Sequence, residues 1–410
     1  MRILIESPTC NALEGSNAAV GFGWVSHLAR LHEVHVVVYG PHYDRGHQGG
    51  VAPPVENLHP IRIPRSRVAR LGTLTDYVVQ VRRARARLIA DVGPDIVHSL
   101  EPAGWLGARA LATRAVPYVL GPLNGGAVPT PRRFANEVLR ALPVKPVQTL
   151  TRQGPRKLAV SLLNEGLFGS TPTAKALAHR AMRAARRIVL ATGLSADAIP
   201  GGVADRVRRV IPQGIDLDLF RPLDEPPTTG PLEVIYTGRI TPWKGLHLVI
   251  EALAETRARL TVYGSAAGAD EWYERYCRER AQPLGERVTF AGAVPRAQLA
   301  KAYARADVFC MLSLWEPYAT TWIESFACGT PVIGLATGGA REGITPGIGW
   351  LIEPTDVRMA LSELGTLLDA LDTDRDQVRR AGARARAEAE ERYSWPRLAA
   401  QMDAIYHELV

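Results

Sequence analysis

Cysteine is scarce in this 410-residue sequence, and its copies are scattered along the chain. The four cysteines are Cys10, Cys277, Cys310 and Cys328, and no two of them form a C-x-x-C pair. This scatter argues against a disulfide framework and against a cysteine-rich zinc site. It favours a reducing compartment, so we expect a cytoplasmic protein.

Long apolar runs are also missing. No stretch approaches the roughly 18 apolar residues that a membrane-spanning helix needs. The first residues, MRILIES, read as a β-strand and lack the order of charged, apolar and small residues that marks a signal peptide. Hydrophobic residues make up 46% and charged residues 22% of the chain, which is typical of a soluble globular enzyme.

Lysine is rare, with five copies against forty-four arginines, and together with abundant alanine this composition indicates a bacterium of high GC content. The net charge is +8, and the segment 130–190 alone carries twelve cations and two anions. This segment is either a solvated arginine-rich face or a surface for anionic lipid or an acidic partner, which would place the protein at the inner membrane surface. Nucleic acid is not expected as a partner, because aromatic residues do not interleave with these cations.

Short apolar runs alternate with helical patterns in both halves of the chain. RILIES, EVHVVVYG and DIVHSL read as strands in the first half, and LEVIYTG, ARLTVYG and TPVIGLA read as strands in the second. Such alternation predicts parallel sheets with helices on both faces. Because 410 residues are too many for one ordinary core, the predicted fold class is α/β with two doubly wound, Rossmann-like domains in tandem.

A segment rich in proline and glycine, 212–231, predicts the junction between the two domains. We place the first domain at 1–215 and the second at 216–393. The final stretch, 394–410, reads as a helix that crosses back to the first domain.

Two cations follow the first strand of the second domain. That strand ends at Gly238, Arg239 and Lys244 lie on the loop after it, and a helix starts around Gly245. An arginine fork can bind two oxygens at once, a lysine supplies a mobile point charge, and a helix N-terminus adds partial positive charge. This arrangement predicts a diphosphate site, with two ordinary surface cations as the alternative.

Two glutamates stand eight residues apart in EPYATTWIESFACGTPVI, at 316–333. Pro317 suits the first turn of a helix, which would put Glu316 at or just outside the helix cap and Glu324 about two turns in. A buried Glu324 needs a partner, and two vicinal hydroxyls such as those of a ribose would satisfy its carboxylate. The alternative is a simple cap for Glu316 and a solvated helix position for Glu324.

These stretches together resemble glycosyltransferase family 4, whose members are retaining enzymes of the GT-B fold. VIPQGIDLDLFRP resembles the interdomain segment of that family, GRITPWKGL its diphosphate stretch, and EPYATTWIESFACGTPVI its two-glutamate E-x7-E motif. ATGGARE is similar to the loop that follows this motif, and YSWPRLAAQMDAIY to the closing helix. The resemblance covers most of the chain and implies a cleft between the two domains that closes over the substrates.

The resemblance also implies a role for each site residue. Arg239 and Lys244 would hold the diphosphate of a nucleotide sugar, and Glu316, the third catalytic residue, would bind hydroxyls of the transferred sugar. Glu324 would bind the ribose, and the backbone amides of 318–321 would face the sugar. The family usually has glycine where this chain has Ala319. The full donor-binding set is Gly238, Gly264, Ser265, Val294, Tyr318, Ala319, Thr320, Thr321 and Glu324 in the second domain, with Gly15 and Ser16 in the first.

The acceptor side is expected in the first domain. Many relatives read H-x-H-E-P after the strand near 95–98, whereas this chain reads HSLEP and has Leu100 in place of the second imidazole. His98 is therefore either an acceptor-side residue or only a strand-end residue, and Glu101 becomes the polar candidate beside it. The loop GPLNGG would shape the acceptor cleft through Asn124, Gly125 and Gly126.

The implied reaction moves a sugar from a UDP- or GDP-sugar to an acceptor hydroxyl by a same-face route, with no metal and no cofactor. One alternative is a metal-dependent transferase that uses Asp216 and Asp218, which mimic a D-x-D motif, although their place in the junction favours a linker or capping role. Another alternative is a nucleotide-sugar-binding protein that catalyses no transfer.

Overall fold

The structure is a computed structural model that describes residues 1–11, 17–47, 55–66, 73–100, 111–123, 130–143, 172–193, 199–223, 230–316 and 318–410. The chain divides into two compact units. The first comprises Met1–Gly126, Gly154–Gly214 and Trp395–Val410, and the second comprises Ala127–Gln153 and Ile215–Ser394.

A parallel sheet of seven strands forms the middle of the first unit. Its strands are β1 (Arg2–Glu6), β2 (Glu33–Tyr39), β3 (Leu58–Ile63), β4 (Ile96–Ser99), β5 (Tyr118–Leu123), β6 (Arg187–Leu190) and β7 (Val207–Arg209). The spatial order is β3-β2-β1-β4-β5-β6-β7, so the direction of winding reverses between β1 and β4. In doubly wound folds such a reversal opens a crevice at the carboxyl ends of the two strands.

A second parallel sheet, of six strands, forms the middle of the second unit. Its strands are β8 (Glu233–Thr237), β9 (Arg259–Tyr263), β10 (Val288–Gly292), β11 (Val308–Met311), β12 (Val332–Leu335) and β13 (Gly349–Ile352). The spatial order is β10-β9-β8-β11-β12-β13, with the reversal between β8 and β11. The predicted α/β class with two Rossmann-like parallel-sheet domains is confirmed.

Helices follow most of the strands. They are α1 (Asn17–Leu28), α2 (Gly40–His47), α3 (Thr73–Val92), α4 (Arg132–Arg140), α5 (Pro172–Ala184), α6 (Leu246–Ala252), α7 (Glu271–Ala281), α8 (Arg296–Arg305), α9 (Thr320–Ala327), α10 (Ala340–Gly343), α11 (Val357–Thr373), α12 (Arg375–Arg392) and α13 (Trp395–His407).

Two hydrophobic clusters form the core of the first unit, because alternate residues of a strand point to opposite faces of the sheet. Ile3 and Ile5 of β1 belong to the cluster that includes α1 and α13, whereas Leu4 belongs to the cluster that includes α3 and α5. Strands covered on both faces are apolar at nearly every position, which is why the sequence reads as short continuous apolar runs.

The C-terminal helix α13 belongs to the first unit, where the sequence analysis had placed the segment 394–410. Its first residue, Trp395, packs so closely that a Cβ on Gly23 would lie 2.2 Å from the Trp395 Cζ2. Beyond its last turn, Glu408 accepts from Arg187 Nε at 2.7 Å and from Arg208. The hydrogen bond from Arg208, followed by that from Arg187, lowers the pKa of Glu408 to about 2.

One part of the predicted first domain, 1–215, groups with the second unit instead. Helix α4 lies beside α11, and Phe134 and Val138 are its buried residues. These two residues are one helical turn apart, so α4 has a single narrow apolar side that must pack on another element. The sequence reasoning missed this because it assigned segments to domains by their order along the chain.

Candidate functional site

The carboxyl ends of the strands in the second sheet bring two predicted donor residues into contact. Gly238 follows β8 with a φ of +130°, and Gly264 follows β9 with a φ of +135°. A Cβ on Gly264 would lie 1.9 Å from the Gly238 carbonyl oxygen. Because only glycine tolerates both the positive φ and the close approach, these two residues fix the separation of the two loops.

A single 3-10 turn, Pro242–Lys244, presents Lys244 at the same edge of the sheet. Gly245 ends this turn in the left-handed region, at a φ of +68°, and a Cβ there would lie 2.2 Å from the Leu312 carbonyl oxygen. The Leu314 amide donates to the Trp243 carbonyl at 2.7 Å. The turn is therefore docked on the loop that follows β11.

That docking places Lys244 beside Glu316. The Lys244 Nζ donates to a Glu316 carboxylate oxygen, and the two side chains are only 16% and 13% exposed. The Glu316 carbonyl accepts from the Gly339 amide at 2.9 Å, so the loop after β12 holds the same residue from the other side. Three loops thus converge on one ion pair.

Arg239 lies on the same loop as Lys244 but in a different environment. Its side chain is exposed, and its guanidinium carbon lies 5.7 Å from the centre of the Trp243 ring, within cation–π range. Its carbonyl accepts from the Tyr236 hydroxyl at 3.2 Å. The backbone of Arg239 is therefore fixed while its guanidinium faces solvent.

The helix that carries the second glutamate begins later than the sequence analysis expected. Helix α9 starts at Thr320 with Ala319 as its N-cap, so Glu316 lies three residues before the cap. Glu324 is the fifth residue of the helix, little more than one turn in rather than two. The expectation was wrong because it took Pro317 as the first helical position; that residue lies outside the described part of the chain.

Glu324 is buried, and both of its carboxylate oxygens face helix α8. Oε1 lies 3.6 Å from Arg296 Nη2, and Oε2 accepts from the Tyr303 hydroxyl at 3.3 Å. The Tyr303 hydroxyl also bonds Thr237 Oγ1 at the end of β8. Burial raises the pKa of Glu324 to about 7, and Arg296 and then Tyr303 act in the opposite direction.

Sequence reasoning missed Arg296 and Tyr303. They are seven residues apart on α8, which puts them on one face of the helix. The spacing was visible in the sequence, but nothing there showed that this face would meet Glu324. A search for side chains able to neutralise a buried carboxylate would have found both as candidates.

The other predicted donor residues lie at the carboxyl edge of the second sheet. Ser265 is exposed, and its carbonyl accepts from the Ile240 amide at 3.1 Å. Val294 is half-buried on the short link between β10 and α8. Thr320 and Thr321 are the first two residues of α9.

The side chains of Tyr318 and Ala319 pack in the interior of the second unit. Both residues are buried, and the Tyr318 hydroxyl bonds the Tyr393 hydroxyl at 2.8 Å. The expected contact of this pair with a donor is through the backbone, since the sequence analysis assigned it to the amides of 318–321.

In the first unit, the environment of His98 fits the alternative of a strand-end residue. Its side chain is fully buried, Nδ1 lies 2.6 Å from the Tyr406 hydroxyl, and Nε2 lies 2.7 Å from the Gly121 carbonyl oxygen. Burial lowers the pKa of His98 to about 4, so the ring is neutral near pH 7. His98 is thus a structural residue whose ring contacts connect β4 with β5 and α13.

The other residues predicted for this domain lie outside the described part of the chain: Gly15, Ser16, Glu101, Asn124, Gly125 and Gly126.

A second buried carboxyl group, which the sequence analysis did not consider, lies where the winding of the first sheet reverses. Glu6 ends β1, is 2% exposed, and accepts from Ser99 Oγ at the end of β4 at 2.7 Å. The Tyr118 hydroxyl in turn donates to Ser99 Oγ at 3.0 Å. Burial raises the pKa of Glu6 to about 7. The signal in the sequence was an acidic residue directly after three apolar residues at the end of a strand.

Asp216 has a capping role in the structure. Its Oδ1 accepts from the backbone amides of Asp218 at 3.1 Å and Leu219 at 3.0 Å, and both aspartates are exposed. This is the capping role that the sequence analysis preferred to a metal-binding D-x-D motif.

Among the described residues, one cluster has the ligand types and spacing of a metal site: Glu33, His35 and His59, on β2 and β3. Glu33 Oε1 already lies 3.1 Å from Arg2 Nε and 2.9 Å from His35 Nε2. A cation there would compete with Arg2 for the same carboxylate oxygen.

The basic segment is described only in part. Arg132, Arg133 and Arg140 of α4 are exposed, as are Arg180 and Arg183 of α5, and the stretch 144–171 lies outside the described residues. None of the described helices is both long and apolar enough to cross a bilayer.

Comparison with known families identifies a glycosyltransferase match in the second unit. Residues 224–386, which make up most of the second unit, match the family described as glycosyl transferases group 1. This range contains every second-domain residue predicted for the donor site.

Curated relatives carry names of related enzymes. D-inositol 3-phosphate glycosyltransferase 1 of Catenulispora acidiphila is 27% identical over 380 residues, which cover 84% of this chain and 88% of that protein. D-inositol 3-phosphate glycosyltransferase of Segniliparus rotundus is 33% identical over 212 residues, or 48% of this chain and 46% of that protein. The GDP-mannose-dependent monoacylated alpha-(1-6)-phosphatidylinositol monomannoside mannosyltransferase of Corynebacterium glutamicum is 32% identical over 209 residues, or 45% and 52%. The matched part spans about half the length of the last two relatives.

Solved structures match over the whole chain. Sucrose-phosphate synthase from Thermosynechococcus elongatus superposes with a TM-score of 0.69 and 20% identity, covering 100% of this chain and 98% of that one. Anabaena HepE in complex with UDP has a TM-score of 0.68 and 18% identity, covering 100% of both chains. At these identities the likeness concerns the fold, and it confirms the GT-B fold.

Proposed function

This chain is a glycosyltransferase whose second domain belongs to group 1, and from that premise we propose its reaction: it transfers a sugar from a nucleoside diphosphate sugar to an acceptor hydroxyl, with retention of anomeric configuration and without a metal. The observation that carries the proposal is the Lys244–Glu316 ion pair at the carboxyl edge of the second sheet. In this pair a cation that would bind phosphate contacts a carboxylate that would bind sugar hydroxyls.

The donor would lie along the loops that end the strands of the second sheet. Lys244 and the exposed guanidinium of Arg239 would bind the diphosphate, and the first amides of α9 would add partial positive charge. Glu316 would accept hydrogen bonds from the sugar and Glu324 from the ribose. Carboxylates suit both tasks because an ionised carboxylate only accepts hydrogen bonds.

In the transfer step, the bond between the anomeric carbon and the diphosphate oxygen breaks, and a bond from the acceptor oxygen forms on the same face. The acceptor's proton passes to the departing diphosphate oxygen. Lys244 and Arg239 would stabilise the negative charge that develops on that oxygen, and the remaining catalytic effect would come from positioning.

A thermal-shift panel of UDP, GDP and their sugars identifies the donor, because a ligand that binds the folded state raises the melting temperature by mass action. The best donor is then incubated with acceptors, and the anomeric configuration of the product is read by NMR. We expect retention, and we expect full activity in excess EDTA. An inverted product or loss of activity with EDTA would contradict the proposed mechanism.

Phosphorylated inositols are the acceptors to test first. The alignment with the Catenulispora D-inositol 3-phosphate glycosyltransferase covers 84% of this chain, so it must include part of the first domain, where the acceptor is expected. Transfer to inositol 3-phosphate but not to unphosphorylated inositol would support a phosphorylated acceptor. Transfer to neither would remove this acceptor class.

The exposed arginines of α4 and α5 support a second part of the proposal, peripheral contact with an anionic membrane. We expect the protein to sediment with anionic vesicles at low ionic strength and to be released by salt, since attraction between exposed charges is screened. Neutral vesicles serve as the control. Failure to bind anionic vesicles even at low salt would contradict this contact.

A further inference from the structure

Two residues on one face of helix α8 contact the two oxygens of the Glu324 carboxylate. Arg296 opens the helix and Tyr303 lies seven residues later, two turns along on the same side. Arg296 Nη2 approaches Oε1 at 3.6 Å, while the Tyr303 hydroxyl donates to Oε2 at 3.3 Å. The carboxylate therefore has a cation on one oxygen and a neutral donor on the other.

The contacts of Arg296 and Tyr303 with Glu324 differ in whether they use the hydrogen-bonding capacity of the carboxylate oxygen. At 3.6 Å, Arg296 is too far from Oε1 for a hydrogen bond, but it is close enough to stabilise the negative charge. Oε1 therefore keeps its capacity to accept from another group. Tyr303 and Thr237 engage Oε2 through a short chain of hydroxyls.

The Arg296 guanidinium packs against an aromatic ring. Its central carbon lies 5.2 Å from the centre of the Phe220 ring, and Phe220 is fully buried. The Arg296 side chain is 50% exposed, whereas that of Glu324 is 10% exposed. Arg296 therefore lies between solvent and the Glu324 carboxylate, and its guanidinium packs on the buried Phe220 ring.

We propose that Arg296 is a positioning residue of the donor site: it keeps Glu324 ionised and aimed so that Oε1 accepts the hydroxyls of a nucleoside ribose. This inference rests on the proposed function, in which Glu324 binds the ribose. Arg296 supplies the charge that a buried carboxylate needs without occupying the lone pairs that a ribose would use.

Among the described residues, charged and titratable groups near Glu324 lie on three elements. Helix α8 supplies Arg296 and Tyr303, and Cys328 follows Glu324 at the end of its own helix, with a thiol whose pKa burial raises to about 12. Arg386 of α12 donates to the Ala327 carbonyl at 2.6 Å. Of these groups, Arg296 is the cation that pairs directly with Glu324.

The test measures the affinity for UDP and GDP by calorimetry between pH 5.5 and 8.5. The proteins are the wild type, Arg296→Gln, Arg296→Lys and Glu324→Gln. Arg305→Gln is the matched control, because it removes one exposed arginine from the other end of the same helix. Titration of the diphosphate itself is common to all proteins and cancels in the ratio of their affinities.

In the wild type, affinity should fall as the pH drops through about 7, because Glu324 takes up a proton there. In Arg296→Gln the fall should begin at higher pH, with affinity at pH 7 reduced about fivefold if the pKa rises by one unit. Arg296→Lys should restore most of the wild-type profile, Arg305→Gln should match the wild type, and Glu324→Gln should lose this part of the pH dependence.

Two results would overturn the inference while leaving the proposed function intact. One is an Arg296→Gln profile with the wild-type midpoint, whether or not its affinity is uniformly weaker, since uniform weakening would indicate a direct contact with phosphate. The other is an Arg296→Lys profile that resembles that of Arg296→Gln. If the wild type bound neither nucleotide, the proposed function itself would fail, and the inference with it.

Discussion

Lys244 and Glu316 form an ion pair between two loops that are 72 residues apart in sequence, and both side chains are largely withdrawn from solvent. The contact depends on the turn at Gly245, which presses the first loop onto the Leu312 carbonyl, and on the Gly339 amide, which holds the Glu316 backbone. A cation and a carboxylate fixed in this way need little rearrangement to meet a phosphate and a sugar. The expected consequences can be measured.

Removal of either cation of the proposed diphosphate site should lower turnover. We expect Lys244→Ala and Arg239→Ala each to reduce kcat by roughly 10²–10³, the range seen when one preorganised donor is removed. Lys301→Ala is the matched control, because Lys301 is an exposed lysine on α8. Steady-state kinetics with the donor from the thermal-shift panel provide the measurement, and near-native turnover in both variants would contradict the diphosphate site.

Lys244 and Glu316 should be energetically coupled. In a double-mutant cycle with Lys244→Ala and Glu316→Gln, the effects on kcat/KM should not add, because each single change leaves a largely buried partner without its contact. The expected coupling is about 0.5–3 kcal/mol, the range for residues in direct contact. Additive effects would show that the ion pair does not persist when substrate is bound.

Gly245→Ala should impair the site through the backbone. The substitution adds left-handed strain and a clash with the Leu312 carbonyl oxygen, whereas Gly268→Ala adds similar strain at a φ of +58° with no atom within 4 Å of the new Cβ. We expect Gly245→Ala to lower both the melting temperature and kcat, and Gly268→Ala to lower only the melting temperature, and by less. Equal effects on both quantities would mean that the docked turn does not position Lys244.

Two buried groups in the first unit should give stability opposite dependences on pH. Glu6 has its pKa raised from 4.5 to about 7, so its stabilising contribution is complete below pH 4.5 and is lost as the pH rises through 7. His98 has its pKa lowered from 6.5 to about 4, so its contribution is complete above pH 6.5 and is lost as the pH falls through 4. The two effects partly cancel in the wild type.

Single substitutions separate these two effects. Relative to the wild type, the melting temperature of Glu6→Gln should rise as the pH increases from 4.5 to 7, and that of His98→Gln should rise as the pH decreases from 6.5 to 4. Differential scanning fluorimetry across this pH range provides the measurement. Only the slope is diagnostic, because loss of packing shifts each variant by a constant amount. Slopes parallel to the wild type would show that neither group titrates differently on unfolding.

The placement of the proposed donor cations on one loop could be predicted because its parts are local in sequence. Arg239 and Lys244 stand on one short loop, and a strand ending in glycine before a helix is a pattern that residues alone reveal. Helix boundaries were less accurate: α9 begins at Thr320, because the loop after β11 continues past Glu316 before the helix can start. The two alternatives for His98 could not be separated from the sequence, because its partners, Gly121 and Tyr406, come from distant parts of the chain.

The sequence by itself determined the two α/β domains, the family and the identity of the cations and carboxylates, because apolar periodicity and short motifs are properties of neighbouring residues. Only the tertiary structure decided which of these groups meet. It paired Lys244 with Glu316, set Arg296 and Tyr303 against Glu324, and buried His98 beneath the C-terminal helix. The physical reason is that a buried charge or imidazole takes its ionisation state from groups that packing brings to it, and packing joins residues that lie far apart along the chain.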